Sequence, residues 1–338
     1  MTSSATINLH IGNAIPHAND NDTGKIITLW QEIGSFFDQR SFTALSAING
    51  KARLYQISLD AGPLSHVMET ARDQSKTFSA HHKARVDDAE KAVDAALSIT
   101  IFCKDHALDE VESYQVATVF LQQLVLAANI IMPGSMQILN ARFIGAGAHR
   151  FEAQNFDSRI LYGARRTAVY NEWPKLGAPS FDVVWAWLES CETSTVDTAL
   201  RDINKVLFTM LKVAEQRHEY SARTVLLVMY QLEVLLDSRY ANSLEKIRSR
   251  TRMIFGNIPE AADCFTELYE VRHNLFSANQ PVNRPPLICH STGKALKEQI
   301  GQHNTAVEAG TALVIALLQD LIANQAQRYE FTESFSRQ

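Results

Sequence analysis

Residues Phe265 to Pro281 read FTELYEVRHNLFSANQP, and this stretch decides how the second half of the chain is read. Phe265, Leu268, Tyr269, Leu275 and Phe276 recur at helical spacing, so one side of a helix here is apolar and seeks burial. Arg272, His273 and Asn274 fall beside that stripe, and the helix breaks at Ser277-Ala278-Asn279. An arginine next to a core needs an anion or an acceptor, because burying an unpaired charge is costly. A phosphate is one such anion, and a guanidinium grips it in a planar, bidentate way. A helix-end arginine paired with carbonyls or with a core carboxylate is the structural alternative.

Three further segments belong with this one. Val184-Trp185-Ala186-Trp187-Leu188 gives W-x-W-L, Leu226 to Leu236 (LLVMYQLEVLL) carries L-E-x-L, and Leu268-Tyr269-x-x-Arg272 gives L-Y-x-x-R. In this order and spacing they resemble the Apea-like branch of the HEPN superfamily (higher eukaryotes and prokaryotes nucleotide-binding), across roughly residues 180–325. The resemblance implies an all-α helical bundle in the C-terminal half. It also implies metal-independent RNA cleavage at a dimer interface, with the ribose 2′-OH as nucleophile. An arginine steadies the scissile phosphate and a histidine moves the proton, leaving a 2′,3′-cyclic phosphate and a 5′-OH. Carried onto this chain, Arg272 with His273 and Asn274 is the catalytic candidate. Glu233 of L-E-x-L faces Arg272 and orients it; a structural pair, or a hydrogen bond to Tyr269, reads equally well from the residues.

The family's histidine belongs at 277–279, where this chain has Ser277, Ala278 and Asn279. Two readings follow. The first is a HEPN-type RNA endonuclease, a bacterial toxin or anti-phage abortive-infection effector, inactive or weakened as written. Ala278 would then mark a His→Ala replacement. The second is a non-catalytic HEPN-like module that binds RNA or a protein. The implied partners are RNA (tRNA among the targets), a second copy in a homodimer or higher homo-oligomer, and a neutralising or sensor partner. No cofactor and no metal is implied.

Arg239 to Arg252 holds Arg239, Lys246, Arg248, Arg250 and Arg252 against one Glu. It reads as an RNA-binding face that tracks phosphates, or as a solvated face. Arg142 to Arg166 interleaves five arginines with Phe143, Phe151, Phe156 and Tyr162, a mixture that suits single-stranded RNA or a domain interface. Gly145-Ala-Gly-Ala-His is too short for a nucleotide fingerprint. His81-His82, and His106 near Asp105, Asp109 and Glu110, read as surface residues. Arg284 and His290 are separated by Pro285-Pro286, which forbids a helix between them.

The chain has 338 residues, 46% hydrophobic and 20% charged, enough for two domains with sizeable cores. A net charge of −5 argues against a surface coated for bulk nucleic-acid binding. Cys103, Cys191, Cys264 and Cys289 are too scattered for zinc or a disulfide framework, and reduced thiols in the cytoplasm are the simplest reading. Val116 to Met132 is apolar but broken by Gln122-Gln123, so a buried helix is expected and no membrane span. No signal peptide is apparent.

The expected class is mainly α. Residues 1–140 form a mostly helical N-terminal domain with a few short strands, 141–180 a connecting segment, and 181–338 the HEPN-like helical domain. Ile7 to Ile11 and Ala52 to Leu59 are expected as strands, Leu64 to Ile101 as a long helical region, and Asp109 to Met132 as a helix stopped by Pro133-Gly134.

Overall fold

The computed structural model describes residues 3–13, 20–46, 50–81, 95–145, 147–215, 220–238, 243–276 and 293–332. The elements in order are β1 (Ser3–Asn13), α1 (Asp20–Phe36), β2 (Arg40–Leu45), β3 (Ala52–Asp60), α2 (Gly62–His81), β4 (Ala95–Cys103), α3 (Glu110–Ile131), β5 (Leu139–Ile144), α4 (Arg159–Tyr170), α5 (Phe181–Ser190), α6 (Asp202–Ala214), α7 (Ala222–Leu235), α8 (Ser243–Phe255), α9 (Phe265–Phe276) and α10 (Lys294–Ala323). Helix predominates, and one antiparallel sheet stands beside it.

The chain divides into two compact units. The first comprises residues 1–162, 180–198 and 214–218, and the second 163–179, 199–213 and 219–338. The division expected within 141–180, with everything from 181 in the second domain, is therefore corrected. Helix α5, which carries the W-x-W-L segment, belongs to the first unit. The reason is aromatic packing: Trp185 meets Phe37 at 4.7 Å between ring centroids and Phe120 at 5.9 Å, and Phe181 meets Phe36 at 5.0 Å. Aromatic rings in edge-to-face or tilted contact add to what area burial alone supplies.

The first unit is built on a five-stranded sheet of order β2-β3-β4-β1-β5, all of whose pairings are antiparallel. Helix still supplies more of this unit than strand; what the expectation of a few short strands missed is that there are five, joined in one sheet. The long helical region expected over Leu64 to Ile101 is corrected: α2 ends at His81, and Ala95–Cys103 is a central strand. In β4, Leu97, Ile99, Ile101 and Cys103 are all buried, while Ser98, Thr100 and Phe102 turn to the other face. That period of two, with β-branched residues at 99–101, fits a pleated surface and not a helix. Polar cross-strand pairs mark the opposite face, with Ser98 Oγ donating to Asn8 Oδ1 at 2.8 Å. The charged stretch 85–91 and His82 lie outside the described residues.

Helix α3 packs on β1, β2 and β4. Asp109 caps it, its carboxylate accepting from the Glu112 backbone N–H at 2.7 Å. Pro133 cannot continue the helix, and Gly134 turns the chain at φ +85°. Only glycine fits there, because a Cβ would stand 2.6 Å from Tyr162 Cβ. Helix α3 and the 300–323 part of α10 are each long and apolar enough to cross a bilayer, and both are mostly buried, as core helices are.

In the second unit the described residues form helices and no strand. Helices α7, α9 and α10 pack on one another. Helix α10 is the central element: Val307, Leu313, Val314, Ile315, Leu317 and Leu318 are all buried. Gly310 lets the three helices approach, since a Cβ there would stand 2.7 Å from Leu268 Cδ1 and 2.9 Å from Val228 Cγ1. A separate 3-10 turn at Glu260–Ala262 precedes α9.

Candidate functional site

Helix α9 buries Phe265 and Leu268 completely and leaves His273 and Asn274 exposed. Arg272 sits between these limits, with its side chain 32% exposed. Its Nη1 donates to Glu233 Oε1 on α7, whose side chain is only 10% exposed. A buried carboxylate needs such a partner, and the pair fixes the guanidinium while occupying only part of its donor fork. The remaining N–H groups suit a phosphate oxygen. Tyr269 does not bond Glu233 in this arrangement; its ring lies nearly parallel to that of His273, 6.3 Å between centroids and tilted by 8°. Ser277, Ala278, Asn279, Arg284 and His290 lie outside the described residues.

Helix α10 brings an imidazole to α9 that the sequence does not mark. His303 Nδ1 is 3.5 Å from Glu267 Oε1, and its Nε2 is 2.9 Å from the Tyr220 carbonyl oxygen. Both ring nitrogens are thus engaged.

The basic run resolves residue by residue. Arg250 is buried; its Nη1 donates to the carbonyls of Leu236 at 2.6 Å and Asp237 at 2.5 Å, and its guanidinium lies over the Phe331 ring. Arg248 donates to Asp263 at 3.1 Å and to Thr266 Oγ1 at 2.7 Å. Neither is offered to an external phosphate, which corrects the expectation of a five-residue tracking face. They close the end of α7 and anchor α8 to α9 instead. Arg252 is exposed and Lys246 half-buried, and Arg239 lies outside the described residues. In the 142–166 stretch, Arg150 pairs with Glu110, Arg159 pairs with Asp157 at 2.7 Å, and Phe143 and Phe156 are core residues.

His106 is not the surface residue expected. Its Nε2 is 2.8 Å from Glu112 Oε2, and its Nδ1 is 3.1 Å from Cys103 Sγ. Glu112 is wholly buried and also accepts from Tyr55 Oη at 2.7 Å, Ser46 Oγ at 3.2 Å and Arg53 Nη1 at 3.2 Å. Burial alone pushes the Glu112 carboxyl up. Hydrogen bonds from Tyr55, His106 and Ser46, with the attraction of His106, outweigh it and hold the carboxyl below the ordinary glutamate range. Burial and the same contact push the Tyr55 phenol up. The order thiol–imidazole–carboxylate is that of a nucleophile with its base, but Cys103 is only 1% exposed, so no substrate reaches it and the cluster is a structural one. A second buried carboxylate, Glu308, accepts from Thr167 Oγ1 at 2.5 Å and Tyr220 Oη at 2.6 Å. Among the described residues, no group of three or more His, Cys, Asp and Glu side chains is placed to hold a metal ion.

No family model, no curated protein and no solved structure matches this chain.

Proposed function

We propose that the second unit is a HEPN-like helical module directed at RNA, an endonuclease in kind and weakened as written. One observation carries the reading: an arginine at a helix end, half-exposed, with its fork oriented by a nearly buried glutamate on the neighbouring helix. That arrangement holds a cation ready for a phosphate without leaving a charge uncompensated. In this reading Arg272 takes the scissile phosphate and Asn274 lies at the rim. A two-fold homodimer brings two Arg272 motifs to one cleft, and a toxin or anti-phage effector in the cytoplasm is the matching role. The second reading, a non-catalytic RNA- or protein-binding module, is favoured by the lack of an imidazole at 277–279. His273 is one position from Arg272 and so about 100° around the helix from it, which makes it a poor proton carrier for the same phosphate.

Cleavage by the chain as written is expected to be slow, since a positioned acid–base group is worth roughly 10²–10⁴-fold. Ala278→His, or Ser277→His, is expected to produce EDTA-resistant RNA cleavage with 2′,3′-cyclic phosphate ends, and Arg272→Ala to abolish it. Light scattering at micromolar concentration is expected to give a dimer. If neither histidine variant cleaves RNA in a folded, dimeric preparation, the endonuclease reading falls and the binding module replaces it.

A further inference from the structure

The edge of the sheet in the first unit holds a cavity that the Arg272 reading does not use. Arg40, Ser41 and Thr43 of edge strand β2 line it, with Glu189 from the end of α5 and Ser194 and Thr195 from a 3-10 turn at Thr193–Thr195. Its volume is about 520 Å³, the size of a small-molecule site, but every lining residue is polar.

Arg40 sets the chemistry. Its guanidinium sits over the Phe36 ring, 3.8 Å from the centroid. Phe36 is itself held edge-on by Phe37 and Phe181, at 5.0 Å each. The cation is thereby positioned by stacking, which uses its face and leaves its N–H edge open. Among the described residues no carboxylate or carbonyl takes a hydrogen bond or an ion pair from it. Asp182 feels its charge, but that carboxyl is engaged first by the Ser180 hydroxyl and then by the Val183 backbone.

The hydroxyls divide into two kinds. Ser194 Oγ donates to the Thr43 carbonyl at 2.6 Å and Thr195 Oγ1 to the Glu192 carbonyl at 3.0 Å, so both present lone pairs. Ser41 and Thr43 alternate with the buried Phe42 and Ala44, so their hydroxyls stand on the face of β2 away from the Arg40 side chain; at the free edge of the strand, where the Thr43 carbonyl meets Ser194, their backbone N–H groups point toward the cavity instead. Glu189 receives Trp185 Nε1–H at 2.9 Å on Oε1, which leaves its second oxygen. The cavity therefore offers a guanidinium and two edge backbone N–H groups to an oxyanion, and a carboxylate oxygen and two hydroxyl oxygens to hydrogen-bond donors.

We propose that this cavity binds a phosphomonoester that carries hydroxyl or amino donors, the chemistry of a nucleoside monophosphate. Arg40 with the edge backbone N–H groups of Ser41 and Thr43 takes the phosphate, and Glu189 with Ser194 and Thr195 takes the donors. A free mononucleotide and the 5′-phosphorylated end of an RNA share this chemistry, and the site is independent of Arg272.

Titration calorimetry on the full chain tests it with AMP, GMP, UMP and CMP, the four parent nucleosides, and an oligoribonucleotide with and without a 5′-phosphate. At least one monophosphate is expected to bind saturably, and its nucleoside about tenfold more weakly or worse, as loss of a charge-assisted contact dictates. The titrations are run in the Arg272→Ala background, so that the Arg272 fork takes no phosphate, and there Arg40→Gln is expected to remove that difference. Arg40→Glu, which sets a carboxylate in place of the guanidinium at an exposed position, is expected to bring the monophosphate down to nucleoside level or below and serves if Arg40→Gln misfolds. A 5′-phosphorylated oligomer that binds tighter than both its unphosphorylated form and the mononucleotide identifies an RNA end as the ligand, and a mononucleotide that binds tighter than either oligomer a free nucleotide. Equal affinity for nucleoside and nucleotide, no binding of any monophosphate at millimolar concentration, or undiminished binding by folded Arg40→Gln overturns the proposal.

Discussion

Glu112 lies at the start of α3, where Tyr55, Ser46, Arg53 and His106 meet its two oxygens. A carboxylate this enclosed is tolerable only because each lone pair direction is served. Removing its charge leaves Arg53 and the Tyr55 hydroxyl short of an acceptor, and a buried pair broken on one side costs about 3 kcal/mol. Glu112→Gln is expected to lower the urea stability at pH 7 by about that amount. Its folded carboxyl is held below the ordinary range, so the unfolded chain binds the proton more readily. The stabilisation is thus complete above the ordinary glutamate value of about 4.3 and fades as acid titrates through the depressed one. Urea curves from pH 7 down to pH 3 are expected to show the gap between the native chain and Glu112→Gln closing only on the acid side of that value. None of this was legible in the local sequence. His106 stands among Asp105, Asp109 and Glu110 and looks solvated; Tyr55, 57 residues before Glu112, is what reveals the burial.

Gly310 sets two element-level effects against each other. Alanine in a helix interior is favoured over glycine by about 1 kcal/mol. The added methyl, however, would press on Leu268 Cδ1 and Val228 Cγ1, both belonging to fully buried side chains. Valine is stiff at χ1 and cannot swing away, and overpacking of this kind costs about 1–3 kcal/mol. Packing is expected to win: Gly310→Ala lowers Tm, whereas an alanine at an exposed helical position would raise it. The elements themselves were unevenly legible. Helix α3 announces itself by Asp109 at its start and Pro133-Gly134 at its end. Strand β4 does not, because AALSITIFC opens with good helix formers and follows a genuine helix; its alternation of buried and half-buried side chains is decisive only once β1 and β3 flank it.

At the scale of the molecule the first unit is not a single run of chain. It takes back residues 180–198 after the chain has already contributed 163–179 to the second unit. A fragment ending at residue 180 would lose Phe181 and Trp185, and with them the cover over Phe37, Phe42 and Phe120. Loss of one large buried aromatic alone costs about 3–5 kcal/mol, comparable to the whole stability of a small domain. The 1–180 fragment is therefore expected to show no cooperative urea transition by circular dichroism, while the full chain does. A sharp transition in the fragment would mean that α5 is dispensable to this core.

What the sequence determined by itself was local. The 3.6-residue stripe of α9, the apolar run of α7 and the caps of α3 depend on neighbours within a turn or two, and the residues display them directly. The helical character of the second unit and the placing of Arg272 at the end of an apolar stripe come from the same short-range pattern. The tertiary structure decided everything that rests on pairs distant in the chain. It chose between the partners the residues left open for Glu233, Arg272 and Tyr269, turned Arg248 and Arg250 from a basic face into internal braces, and joined α5 to a sheet more than a hundred residues upstream. The physical reason is that charge and hydrophobicity fix what a side chain needs, whereas the identity of the partner that meets the need is set by which surfaces the whole chain brings together.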